Sequence, residues 1–151
     1  MSLAPIVIDA SVAVKWVLDE DGAEQAHALL LDSLRLARLI AAPPHLHGEC
    51  GNAIYQRVRI SEPARRLSPT DAREALAELL ELPIELLAPF GLYERAITFA
   101  HAHNLPSLYD ALYVVLAQML SADLWTADRR LLNTLAGAAP WVRDIAGYPI
   151  S

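Results

Sequence analysis

A chain of 151 residues with 54% hydrophobic residues suits one domain with a real core and excludes a disordered chain. No apolar run reaches the ~18 residues of a membrane helix, and Met1-Ser2-Leu3-Ala4-Pro5 has neither a basic n-region nor a signal-type apolar stretch. The lone cysteine, Cys50, excludes an internal disulfide and suits the cytoplasm, while the net charge of −6 argues against a nucleic-acid binder that relies on a basic surface.

One domain is expected over residues 1–151, with residues 1–4 as an appended or unordered tail. Ile6-Val7-Ile8 is a short apolar, β-branched run that stops at Asp9 and predicts a buried strand, with a helix following over Val12 to Leu18. From Ala23 to Arg38 the residues Ala26, Leu29, Leu30, Leu34 and Ala37 share a helical face. Leu39 to Ala42 predicts a strand ended by Pro43-Pro44, and a helix runs from Leu46 to Arg59. Ser68-Pro69-Thr70-Asp71 is a helix start: an N-cap serine, a proline at the first helical position and an acid at the third. That helix runs to Leu82, where Pro83 breaks it, and Ile84 to Leu87 is a strand. Leu92 to His103 is helical. Ser107-Leu108-Tyr109-Asp110 opens a strongly apolar helix through Leu120. Asp123 to Thr126 is a strand, Arg129 to Leu135 a helix, and Trp141 to Ile145 a last strand. Strands alternating with helices imply an α/β/α sandwich around a central, mostly parallel sheet of four to five strands.

Four acids occupy comparable places in this plan. Asp9 and Asp128 follow strands directly; Glu49 and Asp110 lie in the first turns of their helices. In parallel sheets ligands sit outside the carboxyl ends of the strands, and right-handed crossovers bring all four places to that edge. Crowded carboxylates repel unless cations compensate, and an oxygen-only ligand set favours Mg²⁺ or Mn²⁺ over Zn²⁺. Taken singly, each acid has another reading. Asp9 and Asp128 are also N-cap residues, Ser107-x-x-Asp110 is also a capping box, and Glu49 also suits a positive helix end. Without the four acids the charge sum is −6 + 4 = −2, so much of the acidity belongs to this set.

These segments resemble the PIN-domain family. Ile6-Val7-Ile8-Asp9-Ala10-Ser11 is similar to its opening strand, aspartate, small residue and hydroxyl. Glu49-Cys50-Gly51-Asn52 is similar to its central glutamate with an asparagine three residues on. Tyr109-Asp110-Ala111-Leu112-Tyr113 and Trp125-Thr126-Ala127-Asp128-Arg129-Arg130-Leu131 are similar to its third and fourth acidic segments. The ordered set spans nearly the whole chain, at the length of single-domain VapC-like toxins.

The resemblance implies an endoribonuclease that uses one or two Mg²⁺ or Mn²⁺ ions to hydrolyse single-stranded RNA, often as the toxin of a type II toxin–antitoxin pair. It places Asp9, Glu49, Asp110 and Asp128 as metal ligands and catalytic acids. Ser11, Asn52 and Thr126 become candidates to hydrogen-bond those ligands. RNA ends bearing 5′-phosphate and 3′-hydroxyl groups are implied. Alternatives are a catalytically silent PIN-like protein-binding module and a PIN-type RNA-processing nuclease without an antitoxin. A phosphoryl-accepting receiver domain fits poorly, because Asp9 has no acidic neighbour and Lys15 is the only lysine.

Arg57 and Arg59, with Arg65 and Arg66, and the pair Arg129 and Arg130 are candidates to follow an RNA backbone, or else ordinary solvated charges. His45 and His47 are two apart and so do not share a helix face as paired zinc ligands, and Cys50 lacks a Cys-x-x-Cys partner. The helices from Ala23 to Arg38 and Ala72 to Leu82 carry more leucine and alanine than one core stripe requires. That surplus serves the domain's own core, or else a homodimer contact and an antitoxin segment.

Overall fold

The apolar runs pair into one five-stranded sheet whose neighbours are all parallel. The computed structural model describes residues 3–151. The expected tail falls partly outside them; Leu3 and Ala4 are exposed coil. The strands are β1 (Ile6–Ile8), β2 (Ile40–Ala42), β3 (Ile84–Leu86), β4 (Asp123–Thr126) and β5 (Val142–Asp144), in the spatial order β3-β2-β1-β4-β5. The three inner strands β1, β2 and β4 are buried almost throughout, which explains why they read as continuous apolar runs without alternation. The edge strands are partly exposed.

Seven helices accompany the sheet: α1 (Ala10–Ala13), α2 (Ala23–Arg35), α3 (Leu46–Arg59), α4 (Pro69–Glu81), α5 (Leu92–Ala102), α6 (Leu108–Met119) and α7 (Arg129–Leu135). Helix α6 packs on β1 and β4 and is covered by α5, so every residue from Ala111 to Ala117 is buried. An all-round apolar helix is the consequence. Helix α3 packs against α4 and leans on α1.

Local chemistry sets most of the ends. Ser68 Oγ accepts the Asp71 N–H at the start of α4, with Pro69 in the first turn. Two predicted helices come out shorter. The one expected over Val12 to Leu18 is α1 followed by a 3₁₀ turn at Val14–Trp16, where the Trp16 indole N–H donates to the Ala26 carbonyl. The one expected to reach Arg38 stops at Arg35. Ala37 takes a left-handed φ of 51°, and the N–H groups of Ala37 and Arg38 close the end on Leu34 and Ser33 carbonyls. That is a Schellman-type stop made without glycine.

The sheet order places the site. The chain moves outward from β1 through β2 to β3, then returns to the other side of β1 for β4 and β5. The order reverses between β1 and β4, and a crevice opens at such a switch point. Asp9 ends β1, and Asp128 follows β4.

Candidate active site at the carboxyl edge of the sheet

Ile8 pairs with Trp125 in the β1–β4 ladder, so the next residues, Asp9 and Thr126, stand side by side where the ladder ends. Thr126 Oγ donates to Asp9 Oδ2 at 2.5 Å, and Ser11 Oγ donates to Asp9 Oδ1 at 2.5 Å. The Val12 N–H also reaches Oδ1, so Asp9 does cap α1. The same hydroxyls receive the next loop: Ala127 N–H donates to Ser11 Oγ, and Asp128 N–H donates to Thr126 Oγ. Two short side chains thus tie the ends of β1 and β4 together and fix the backbone of Asp128 relative to the carboxylate of Asp9. Asp128 in turn caps α7 through the N–H groups of Arg130 and Leu131.

Glu49 is held differently. Tyr113 Oη donates to Glu49 Oε1 at 2.6 Å, and His45 Nε2 lies 3.1 Å from the same oxygen. The histidine contact is close but poorly aligned, and its two ring nitrogens are buried without a hydrogen-bond partner. Both contacts converge on Oε1, and none of the described hydrogen bonds uses Oε2. Tyr113 stands one turn after Asp110 on α6, so a single helix presents one acid and orients another. The sequence reading missed His45 and Tyr113 as partners of Glu49. The i, i+4 spacing of His45 and Glu49 was visible, but the 64-residue separation of Glu49 and Tyr113 hides their contact.

Asp110 makes none of the described hydrogen bonds. Its supposed capping box is open, because Ser107 Oγ accepts from the Tyr109 N–H and α6 begins without help from the acid. Asn52 reaches Gln56 at 3.4 Å and no acid.

The charges of the four acids are felt in common. Burial, with a smaller contribution from Asp128, pushes the Asp9 carboxyl up to about 6 against the pull of its hydrogen bonds. Burial and then repulsion from Asp128 and Glu49 raise the Asp110 carboxyl, with Arg130 and His45 opposing. Burial also pushes Glu49 upward, but His45 and Tyr113 outweigh it and leave the carboxyl below its ordinary range. Cys50, buried beside them, is pushed up to about 12 by desolvation and by Glu49 and Asp9, which makes it an inert core thiol. Except for the His45 contact to Glu49, none of the four acids forms a described ion pair.

The acids thus influence one another in pairs, Asp128 with Asp9 and Asp110, and Glu49 with Asp110. They do not close into a cage: among the described residues no three of His, Cys, Asp or Glu are grouped tightly enough to hold an ion. Their donors are all carboxylate oxygens, the chemistry of a hard divalent cation. Such a set does not fit a four-coordinate Zn²⁺ site.

Arg57 is committed elsewhere, to Glu20 and the Arg65 carbonyl, and Arg129 pairs with Asp144 at 2.7 Å. Arg59 and Arg130 are exposed and make no described ion pair. A cavity of about 600 Å³ lies at the opposite edge, among Arg38, Leu39, Ile40, Pro83 and Ile84 at the entries of β2 and β3. A smaller one of about 380 Å³ adjoins the acids and is lined by His45, Gly48, Glu49, Asn52 and Tyr109.

Residues 6–136 match the PIN domain. The chain is 34% identical over 139 residues to ribonuclease VapC9 of Mycobacterium tuberculosis, covering 89% of this chain and 94% of that protein. Its fold is similar to the crystal structure of PAE2754 from Pyrobaculum aerophilum, with a TM-score of 0.66, 22% identity and coverage of 97% of this chain and 93% of the other. It is also similar to VapC20 of M. tuberculosis, a sarcin-ricin-loop-cleaving toxin, with a TM-score of 0.63, 17% identity and coverage of 91% and 98%.

Proposed function

Because the chain belongs to the PIN-domain family, we propose that it is a metal-dependent endoribonuclease that hydrolyses single-stranded RNA and acts as the toxin of a toxin–antitoxin pair. What supports this reading is that Thr126 holds the Asp128 backbone against Asp9, and that Asp128 raises both Asp9 and Asp110 while Glu49 raises Asp110, at the carboxyl edge of the sheet. Asp9 and Asp128 also cap the helices that follow their strands, but Asp110 caps nothing.

Asp110, with Glu49 through its free oxygen, Asp9 and Asp128, would hold one or two ions. Lewis acidity toward the scissile phosphate, and the lowering of a water's pKa, are what Mg²⁺ or Mn²⁺ supplies when bound. The protein's own part is positioning. Ser11 and Thr126 fix Asp9 by two hydroxyl donors, Tyr113 fixes Glu49 by a third, and Asp128 is fixed through its backbone. Such partners commonly set ligand orientation. Arg59 and Arg130, exposed and without a described ion pair, are the candidates to meet phosphate, and Arg130 acts on Asp110. A metal-activated water does not need the RNA 2′-hydroxyl, so the products carry 5′-phosphate and 3′-hydroxyl ends.

The partners follow from the exposed apolar groups. Leu31, Leu34 and Leu36 on and just after α2, and Leu80 on α4, lie on the helices whose apolar surplus the sequence displays. Phe90, fully exposed, with Tyr93 and Ile97 on α5, adds a face that the sequence reading did not single out. We assign these faces to an antitoxin and to a second copy of the chain. No described helix is long and apolar enough to cross a membrane, and the proposed place of action is the cytoplasm.

Purified protein with Mn²⁺ should cleave single-stranded RNA, and EDTA should stop it. Asp110→Asn and Asp9→Asn should abolish cleavage while the metal-free fold gains stability, since each removes a repelling charge. Cleavage by Asp110→Asn at the wild-type rate would remove that residue from the site. Expression in bacteria should arrest growth, and the Asp110→Asn variant should not.

A further inference from the structure

The cavity beside Glu49 contains no lysine or arginine among its lining residues, although it adjoins the proposed site of phosphodiester cleavage. A phosphate has nothing to pair with there, and Glu49 would repel it. What the cavity offers instead is an aromatic column. Tyr113, 2% exposed, stands in the core; the His45 ring lies 4.7 Å from it, tilted by 55°, and the Tyr109 ring lies 4.9 Å from His45, tilted by 36°. Exposure rises along the column to 56% at Tyr109, so the stack is built inward and open at its outer end.

The His45 ring nitrogens are buried, so the imidazole acts in this column through its faces. Tyr109 is fixed at its backbone by Ser107, in the first turn of α6 and next to Asp110. Opposite stand Gly48, where even an added Cβ would meet nothing within 4 Å, and Asn52, whose exposed amide is lightly engaged by Gln56 at 3.4 Å. Gly48, Asn52, Tyr55 and Arg59 recur at i, i+4, i+7 and i+11 of α3, so one helix face leads from the cavity to a second exposed ring and an unpaired guanidinium.

We propose that this cavity receives one unstacked nucleobase of a single-stranded RNA, lying on the Tyr109 ring with its polar edge toward Asn52. The proposal rests on the ribonuclease reading above and adds a base-binding site to it. Single-stranded RNA is bound by stacking splayed bases on aromatic rings and by amide hydrogen bonds to their edges, while the backbone is met by cations. Here those two tasks are separated in space: the ring and amide lie in the cavity, and the charged groups lie outside it. A duplex, whose bases are already stacked, cannot use the site. The ring belongs to the residue that precedes Asp110, so the bound base is close in sequence to the cut.

The probe is a fluorescent oligoribonucleotide of about ten nucleotides, together with a series of copies each lacking one base along the strand. Affinity is measured without turnover, in the Asp110→Asn background, and cleavage in the otherwise wild-type protein with Mn²⁺. Tyr109→Ala should weaken binding by about ten- to a hundredfold and raise KM more than it lowers kcat, while Tyr109→Phe stays close to wild type. One abasic position next to the cleavage point should cost the Tyr109 protein a similar factor and cost the Tyr109→Ala protein nothing further. Tyr109 is exposed, so its removal should leave thermal unfolding unchanged, and that measurement accompanies the binding series.

Equal RNA affinity for Tyr109→Ala and its parent overturns the proposal, even if the ring turns out to serve a protein partner. So does an abasic penalty of the same size in both proteins. Either result, with normal Mn²⁺-dependent cleavage, leaves the ribonuclease reading standing; an otherwise wild-type protein that neither binds nor cuts RNA removes both.

Discussion

Thr126 links the two strand ends on which the site is built. Its hydroxyl donates to Asp9 and accepts from the backbone of Asp128, and it is fully buried. Valine has the same shape without the hydroxyl. Thr126→Val should lower kcat/KM with Mn²⁺ by about 10- to 100-fold, because an outer partner that fixes a metal ligand is lost. It should also cost about 1–3 kcal/mol in urea unfolding, since Asp9 and the Asp128 N–H lose a buried partner. Full activity in this variant would show that the bridge between the strand ends is only structural. The contrast with Asn52 is instructive at the same scale. Asn52 shares with Ser11 and Thr126 a position near an acid in sequence, yet its side chain turns along α3 toward Gln56 and its exposed face lines the aromatic cavity.

Single helices and turns carry separable parts of the stability. Helix α4 begins at a serine cap far from the acids, so Ser68→Ala should destabilise the fold by about 1 kcal/mol without changing kcat. Chemical denaturation beside a cleavage assay checks this. At the other end of the chain, a 3₁₀ turn at Ile145–Gly147 is tied to α2 by Tyr148, whose hydroxyl donates to Asp32 at 2.6 Å. Desolvation, then the bond to Asp32, pushes this phenol up to about 12 from an ordinary 10.0. The folded form therefore keeps its proton longer than the unfolded form. The contribution of Tyr148 is complete below about pH 10 and is lost as pH rises through about 12. Alkaline unfolding should be shallower over that window in Tyr148→Phe than in the wild type. Identical pH profiles would mean that the tie is absent in solution.

Across the whole molecule the net charge of −6 is reconciled with RNA only by separating roles. Arg57, Arg65, Arg129, Arg143 and Arg35 are paired with acids, and Arg59 and Arg130 are among the six arginines that form no described ion pair. If Arg59 and Arg130 are joined by at most one further contact, log affinity against log salt should have a slope no steeper than about −2 for a single strand. A steep slope, near −5, would point to a broader basic track than these arginines provide. On the proposed reading, a weak electrostatic grip would leave more of the strand's binding to the aromatic cavity and to a cation held by the acids.

The element order, most helix and strand limits and the positions of the acids were written in the chain, because periodicity, proline breaks and capping residues act over a few residues. Ser68-Pro69 marks the start of α4 in this local way, and so does the apolar run from Ala111 to Ala117 for a helix buried on all sides. The place where α2 stops was not, since Ala37 adopts the left-handed turn usually left to glycine. Nor was the spatial order β3-β2-β1-β4-β5, the tie of Thr126 to Asp9 across 117 residues, or the column from Tyr113 through His45 to Tyr109. Those contacts join segments whose separation along the chain carries no period: the β1–β4 pairing brings Thr126 to Asp9, and the sheet brings the starts of α3 and α6 to its carboxyl edge.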